Sequence, residues 1–270
     1  MKGIRVIAAF FLWLGAGALW AQEKIVVGGS GALRTEMEQI AKAYMAKNPS
    51  DIIEVLPQSM SSSGGIDGVK AGRLAIGMVN RPLLDNERGG IAYRAIARGP
   101  VGVGVHKSFP VSNLTETQVC DIFSGKIKSW REVGGGESKI IVLARPAHDD
   151  GNTRIMRSQM ACFRDVKITS EAIVLVRGGE LLDAINRRPG TVGLVNVGSD
   201  FSGRENIKAV AIGGALPSVE ALQNGKYRYT SDSGIVTLGE PQGLAKRFLE
   251  FVVGPEGQRV LARSGMVVVR

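Results

Sequence analysis

Short β-rich runs alternate along the chain with stretches of helical period. Lys24-Ile25-Val26-Val27 is strand-like and ends in Gly28-Gly29-Ser30-Gly31. Beyond it Met37, Ile40, Ala41 and Tyr44 fall at i, i+3, i+4 and i+7, the spacing that puts apolar side chains on one face of a helix. Asn48-Pro49 stops that helix, 52–56 predicts a second strand, and Ser61-Ser62-Ser63-Gly64-Gly65 opens a short helix ending near Gly72. A third strand is expected over 74–79, then two extended stretches within 91–105 separated by Gly99-Pro100. This rhythm implies βα units around a mostly parallel sheet, an α/β fold.

The middle of the chain repeats the style. Thr115-Glu116-Thr117-Gln118 is a capping box leading a helix through Cys120 and Phe123, and Gly125 closes it. A buried strand over 139–144 ends at Arg145, the polar loop His148-Asp149-Asp150-Gly151-Asn152-Thr153 follows, and Ile155, Met156, Met160 and Phe163 predict a helix. Further strands are expected over 173–176, 191–195, 207–212 and 266–269, with helices over 181–185, 243–253 and 257–262. No repeat with a period of about 20–50 residues is visible, which rules out solenoids and propellers.

Composition narrows the class. With 44% hydrophobic and 22% charged residues the chain is globular rather than disordered. Its 36 glycines in 270 residues are well above the usual share of roughly 7%, and without a G-x-y period they belong to tight turns and close backbone approaches. Lys2 and Arg5 precede an uncharged apolar run over 6–21. That run is shorter than the ~20 residues of a membrane span, so 1–21 is read as a cleaved signal peptide, with Leu19 and Ala21 at the recognition positions. No cysteine follows for lipid attachment, and the mature chain is expected outside the cytoplasm, most simply in a bacterial periplasm.

The formal charge of +9 falls to +7 without Lys2 and Arg5, because 32 cations then face 25 acids. The cations are scattered among only 6% aromatic residues, which argues against nucleic acid and for a mild attraction for anions. In an oxidising compartment Cys120 and Cys162 can form a disulfide, and the chain-entropy estimate for such a loop is about 4 kcal/mol. Two buried thiols are the alternative, since sequence gives no distance between them. The cysteines together with His106 and His148 lack zinc-site spacing, so neither a metal nor a cofactor is expected.

Candidate chemistry gathers at three strand-to-helix turns: Gly29-Ser30-Gly31-Ala32, Ser62-Ser63-Gly64-Gly65 and Asp150-Gly151-Asn152-Thr153. The first turn of a helix carries unpaired N–H groups and the positive end of the macrodipole, so converging turns of this kind suit an anion. Any one turn alone is as readily an ordinary helix cap. Arg145, a few residues before the third turn, adds a planar cation suited to bidentate contact with an oxyanion.

The segments Pro110-Val111-Ser112-Asn113-Leu114-Thr115 and Asp121-Ile122-Phe123-Ser124-Gly125-Lys126-Ile127-Lys128-Ser129-Trp130 strongly resemble the periplasmic phosphate-binding proteins of ABC importers. So do Asn80-Arg81-Pro82-Leu83, Pro189-Gly190-Thr191-Val192-Gly193 and Pro255-Glu256-Gly257-Gln258, in consistent order from about Lys24 onward. The resemblance implies a two-lobed binding protein of type II, each lobe a mixed, mostly parallel sheet flanked by helices, with a cleft between the lobes. Lobe I would comprise 22–104 and 208–270, and lobe II 105–207. It further implies capture of phosphate or a related tetrahedral oxyanion, delivery to an ABC permease in the inner membrane, a monomer, and no catalysis. Position by position, the family's anion loops match Ser30, Gly31 and Ala32, then Ser62, Ser63 and Gly64, then Asn80, then Arg145 with Gly151, Asn152 and Thr153. Two extra residues precede Gly151, and Asn152 stands in place of a glycine.

The resemblance puts Asn80 at a ligand position that is an aspartate or a small polar residue in the family, where an aspartate can accept the proton of monohydrogen phosphate and repel sulfate. An amide can accept too, but it does not repel, so selectivity falls into question; Asp149 or Asp150 is a candidate replacement acceptor, or else a solvated residue of the lengthened loop. An enzyme is the second reading. Ser30 or Ser62 with His148 and Asp149 are triad residue types, but adjacent His and Asp side chains do not orient one another and no G-x-S-x-G elbow is present. Gly29-x-Gly31-x-x-Arg34 has arginine where a dinucleotide fingerprint needs a small residue. A third reading is a non-transport sensor or assembly protein on the same frame with lost or altered ligand binding.

Overall fold

The computed structural model describes residues 22–147, 150–197, 201 and 203–269. The expected leader, His148 and Asp149 lie outside the described residues. In chain order the first elements are β1 (Lys24–Gly29), α1 (Arg34–Lys47), β2 (Ile52–Val55), α2 (Ser61–Lys70), β3 (Ile76–Val79) and β4 (Ile91–His106). There follow β5 (Asn113–Leu114), α3 (Glu116–Ser124), β6 (Ile141–Ala144), α4 (Gly151–Gln159), β7 (Ile173–Val174), α5 (Gly178–Arg187), β8 (Thr191–Asn196) and β9 (Ile207–Ile212). The chain ends with α6 (Val219–Gln223), β10 (Thr230–Leu238), α7 (Gly243–Val253), α8 (Pro255–Arg263) and β11 (Val267–Val268).

The strands run in the order β2-β1-β3-β10-β4-β8-β6-β7. The outer groups β2-β1-β3 and β8-β6-β7 are parallel, as their helical crossovers require, whereas β10 and β4 join them through antiparallel ladders. The fold is thus α/β with a mixed sheet. The two largest apolar cores among the described residues flank the joining strands. In the first, Met37, Ile40, Ala41 and Tyr44, the predicted apolar face of α1, pack with Leu33, Val27, Ile76 and Phe248. In the second, Phe123, Trp130 and Phe163 pack with Val103, Val105 and Val210. The capping box of α3 forms, with Gln118 N donating to Thr115 Oγ1 at 3.1 Å and Thr115 N donating to Gln118 Oε1 at 2.8 Å.

The 91–105 region differs from the expectation of two extended stretches: β4 is one strand of 16 residues running straight through Gly99-Pro100. Residues up to Pro100 pair with β10, and from Val101 onward β4 pairs with β8. Pro100 lies where the ladder changes partner, so its missing N–H breaks no continuous ladder. This strand joins the halves.

The expected return to the first lobe near residue 208 is also displaced. β9 pairs with Val103 to His106 of β4, and Tyr227 and Tyr229 lie in the second core with Ala221 and Leu222 of α6 against it. Strand pairing and packing therefore put 207–229 with the second half, and the chain crosses back as it enters β10. No helix among the described residues is long and apolar enough to cross a membrane.

Cys120 and Cys162 are joined by a disulfide with their Cα atoms 6.2 Å apart. It ties α3 to the short turn Ala161–Phe163, beside the edge-to-face pair Phe123–Phe163 with ring centres 5.6 Å apart. Replacing both cysteines by serine should lower the unfolding free energy in urea by about 2–4 kcal/mol, because the unfolded chain regains the entropy of a loop spanning 42 residues. An unchanged urea midpoint would contradict this.

Candidate functional site

At the end of β1 the chain must turn tightly against β3. Gly29 has φ of 130°, and a Cβ there would stand 2.3 Å from the Met78 carbonyl oxygen, so only glycine fits. Ser30 follows: its N–H bonds the Met78 carbonyl at 2.8 Å, and its side chain caps the short helix Gly31–Leu33. α2 approaches the same place through Gly65, whose added Cβ would lie 3.0 Å from the Gly29 Cα. α2 begins at Ser61, the described non-glycine residue with positive φ, 65°. That conformation costs about 1–2 kcal/mol in an L-residue and marks a locally over-determined loop.

Polar contacts knit these turns. Ser59 Oγ accepts from Gly31 N at 3.0 Å and Ser61 N at 3.4 Å, and Ser62 Oγ accepts from Asn80 N at 3.0 Å. The Asn80 amide is oriented from two sides. Its Oδ1 accepts from Ser233 Oγ at 2.8 Å, and its Nδ2 donates to Asn196 Oδ1 at 3.1 Å. Asn196 ends β8 and also accepts from Ser231 Oγ at 3.0 Å, so this network links the two halves beside the partner exchange in β4.

The second half contributes the end of β6 and the start of α4. Arg145 follows β6 directly, and its Nη1 lies 3.0 Å from where a Cβ on Gly178 would stand, against the start of α5. Asp150 is the N-cap of α4: Oδ1 accepts from Thr153 N at 2.9 Å and Oδ2 from Thr153 Oγ1 at 2.6 Å. Asn152 Nδ2 donates to the Leu194 carbonyl at 3.2 Å.

Ser30, Gly31, Ala32, Ser62 and Asn80 face Arg145, Gly151 and Asn152 across one cleft of about 660 Å³. A water molecule occupies roughly 30 Å³ of liquid, so the space is many times larger than a small anion requires. The lining does not include Ser63, Gly64 or Thr153. Ser63 Oγ instead accepts from Arg81 Nη2 at 3.1 Å behind the loop, Gly64 N points back to Ser61 Oγ at 3.4 Å, and the Thr153 hydroxyl is engaged by Asp150.

Sequence reasoning passed over Ser59, Asn196, Gly178, Arg177 and Arg204, all of which line the cleft. A serine two residues before the Ser61 turn and a Gly-Gly helix start at 178 were the available signals. Among the described residues six arginines line the space, Arg34, Arg81, Arg145, Arg154, Arg177 and Arg204, with the acids Glu36, Asp150, Glu180 and Asp183; Arg34 pairs with Glu38, Arg81 with Glu87, Arg177 with Glu180 and Arg204 with Asp183. Burial pushes the Glu36 carboxyl above the usual carboxylate range. Arginines outnumber acids among the described lining residues, an arrangement whose field low-dielectric walls would focus on an anion.

A profile of the PBP superfamily domain matches residues 16–256. The chain belongs to the PBP superfamily. Among curated relatives of this superfamily member, the phosphate-binding protein PstS of Bacillus subtilis (strain 168) is 28% identical over 255 residues, covering 92% of this chain and 82% of that one. A solved structure from Clostridium perfringens, described as a phosphate ABC transporter substrate-binding protein with bound phosphate, is 25% identical with a TM-score of 0.82, over 92% of this chain and 100% of that one. An ABC-type phosphate transport receptor from Vibrio cholerae shares the fold with a TM-score of 0.70 at 24% identity, over 91% of this chain and 100% of that one.

In this PBP-superfamily chain Arg81, at the cleft wall, has its charge matched by a carboxylate. Its guanidinium meets Glu87 in a fork, Nη1 to Oε2 at 2.6 Å and Nη2 to Oε1 at 2.7 Å, with side-chain exposures of 6% and 14%. The hydrogen bonds from Arg81 hold the Glu87 carboxyl below its ordinary range. Glu87→Gln leaves a buried cation uncompensated and should cost about 3 kcal/mol at pH 7. A depressed folded-state value means the wild-type contribution is present above the unfolded Glu value of about 4.3 and disappears as pH falls through the lower folded value. Urea titrations from pH 7 to pH 3 should therefore show the gap between wild type and variant narrowing; a gap independent of pH would contradict the assignment.

Proposed function

We propose that this protein captures phosphate outside the cytoplasm and delivers it to an ABC permease in the inner membrane. The carrying observation is that Ser30 and Ser62 from one half and Arg145 and Gly151 from the other line a single arginine-rich cleft. Support comes from the Clostridium perfringens relative with bound phosphate and from the PstS relative that covers most of this chain. The hydroxyls of Ser30 and Ser62 and the amides at the start of α4 supply neutral donors, and Arg145 supplies the charge-assisted, bidentate contact.

On this reading the halves are lobes that move about the strand segments joining them. Only contacts absent from the open form can populate the closed one, so both sides must touch the ligand. Residues 1–21 act as a cleaved signal peptide, and the working unit is a monomer.

One observation favours an alternative, a sensor or assembly partner with altered ligand binding. Gly31 N is occupied by Ser59 and the Thr153 hydroxyl by Asp150, which removes two expected donors. Calorimetric titration of phosphate-stripped protein separates the readings: saturable phosphate binding supports capture, and silence supports the partner role. Arg145→Ala should weaken phosphate binding by about 2–3 kcal/mol, roughly 30- to 150-fold, because a desolvated anion loses its charged partner. A dissociation constant within threefold of wild type would contradict the role given to Arg145.

A further inference from the structure

We infer that the outer edge of β7, with the groove beside it, is a docking surface for an extended acidic segment of a partner protein. The surface lies outside the anion cleft and does not depend on what the cleft holds.

Three observations carry it. The first is an edge without a further strand: β7 is the last strand on its side of the sheet and pairs with β6 alone. Ala144 of β6 stands opposite Val174, and its carbonyl accepts from Leu175 N at 2.9 Å. In a parallel ladder Ala144 thus bonds the residues on either side of Val174, and Val174 turns its own N–H and C=O away from β6. Those two groups are what an added strand would pair with.

The second is the apolar character of that edge. Ile173, Val174 and Val176 are 39%, 57% and 69% exposed. The run 173–176 has no lysine or proline and its pairing no bulge, the devices that shield an edge strand. Ile173 also lines a groove of about 250 Å³ with Ile122, Ile127, Ile140 and Val142. β7 is only two residues long, so the ladder bonds it offers are few, and an apolar side chain seated in the groove supplies the rest of the contact.

The third is charge. Among the described residues the groove is lined by three cations, Lys128, Lys139 and Arg188, and one acid, Glu171. Lys128 Nζ and Lys139 Nζ donate to the two Glu171 carboxylate oxygens at 2.7 and 3.0 Å. The two lysines hold the Glu171 carboxyl down at about 2, so this place already stabilises one carboxylate. Each ammonium has three donors, which leaves others for an incoming acid. A second copy of this chain would bring the same cations to the edge, and a lipid surface has no partner for the Val174 backbone. An extended acidic peptide answers edge, groove and charge together.

The test titrates the full chain into a fluorescein-labelled peptide of alternating glutamate and valine, six residues long, and reads anisotropy at low ionic strength. Binding should saturate with a dissociation constant below about 1 mM. It should be at least tenfold tighter than for the same peptide with lysine in place of glutamate, or with serine in place of valine. Val174→Pro removes the outward N–H at an edge position, where proline is tolerated, and should weaken the acidic peptide at least tenfold. Lys128→Ala combined with Lys139→Ala should weaken it at least fivefold. Should Val174→Pro fail to fold, Val174→Glu, which sets a like charge against the peptide, is held to the same tenfold. Absence of saturable binding in that range, or any comparison falling short of its threshold, overturns the inference. So does dimerisation in sedimentation that Val174→Glu abolishes, which would give the edge to a second copy. Binding to phosphatidylglycerol vesicles that Val174→Glu abolishes overturns it in favour of a membrane.

Discussion

The two halves are joined at neighbouring backbone segments, and what the cleft can do depends on them. Pro100 of β4 stands opposite Thr230 of β10, so the outward and return passages lie side by side in one antiparallel ladder. The Gln159 side chain at the end of α4 grips the return passage through both backbone groups of Thr230, donating to its carbonyl at 2.9 Å and accepting from its N–H at 2.8 Å. The helix whose start lines the cleft is thereby tied at its other end to the joint. On the phosphate-capture reading, bending of the paired strands would move one set of lining residues against the other while each core, built on its own sheet segment, keeps its packing.

Hydrogen-bond accounting decides which groups can hold an anion. The expectation of three equivalent helical entrances gives way to an unequal set. In the first half Ser59 consumes the Gly31 amide, while the hydroxyl protons of Ser30 and Ser62 are not committed by the contacts their oxygens accept. In the second half Asp150 consumes the amide and hydroxyl of Thr153, so α4 presents Gly151 and Asn152 together with a carboxylate. On the phosphate-capture reading, a site with fewer neutral donors leans more on its arginines.

Much of the fold was legible because its signals are local. The α1 face at Met37, Ile40 and Tyr44, the Thr115–Gln118 capping box and the Gly125 stop, at φ of 79°, all appear where period and capping chemistry place them. The two errors in the middle of the sheet have one cause, long-range pairing. β10 begins Thr-Ser-Asp-Ser-Gly, which has no apolar alternation, yet Ser231 and Ser233 are buried because Asn196 and Asn80 accept their hydroxyls. β4 reads as broken at Pro100, yet the ladder changes partner there. Likewise the resemblance brought Ser30, Ser62, Asn80 and Arg145 to one cleft, but whether a hydroxyl faces the cleft or the framework depends on residues far along the chain: Ser63 turns to Arg81 and Thr153 to Asp150.

The central claim, one anion held from both halves at once, is tested most directly by a crystal structure of the phosphate-saturated protein. The account predicts a single tetrahedral anion bonded by Ser30 or Ser62 on one side and by the Arg145 guanidinium on the other, in a cleft smaller than the present 660 Å³. An anion bonded by residues of one half alone, with the cleft unchanged, would contradict it.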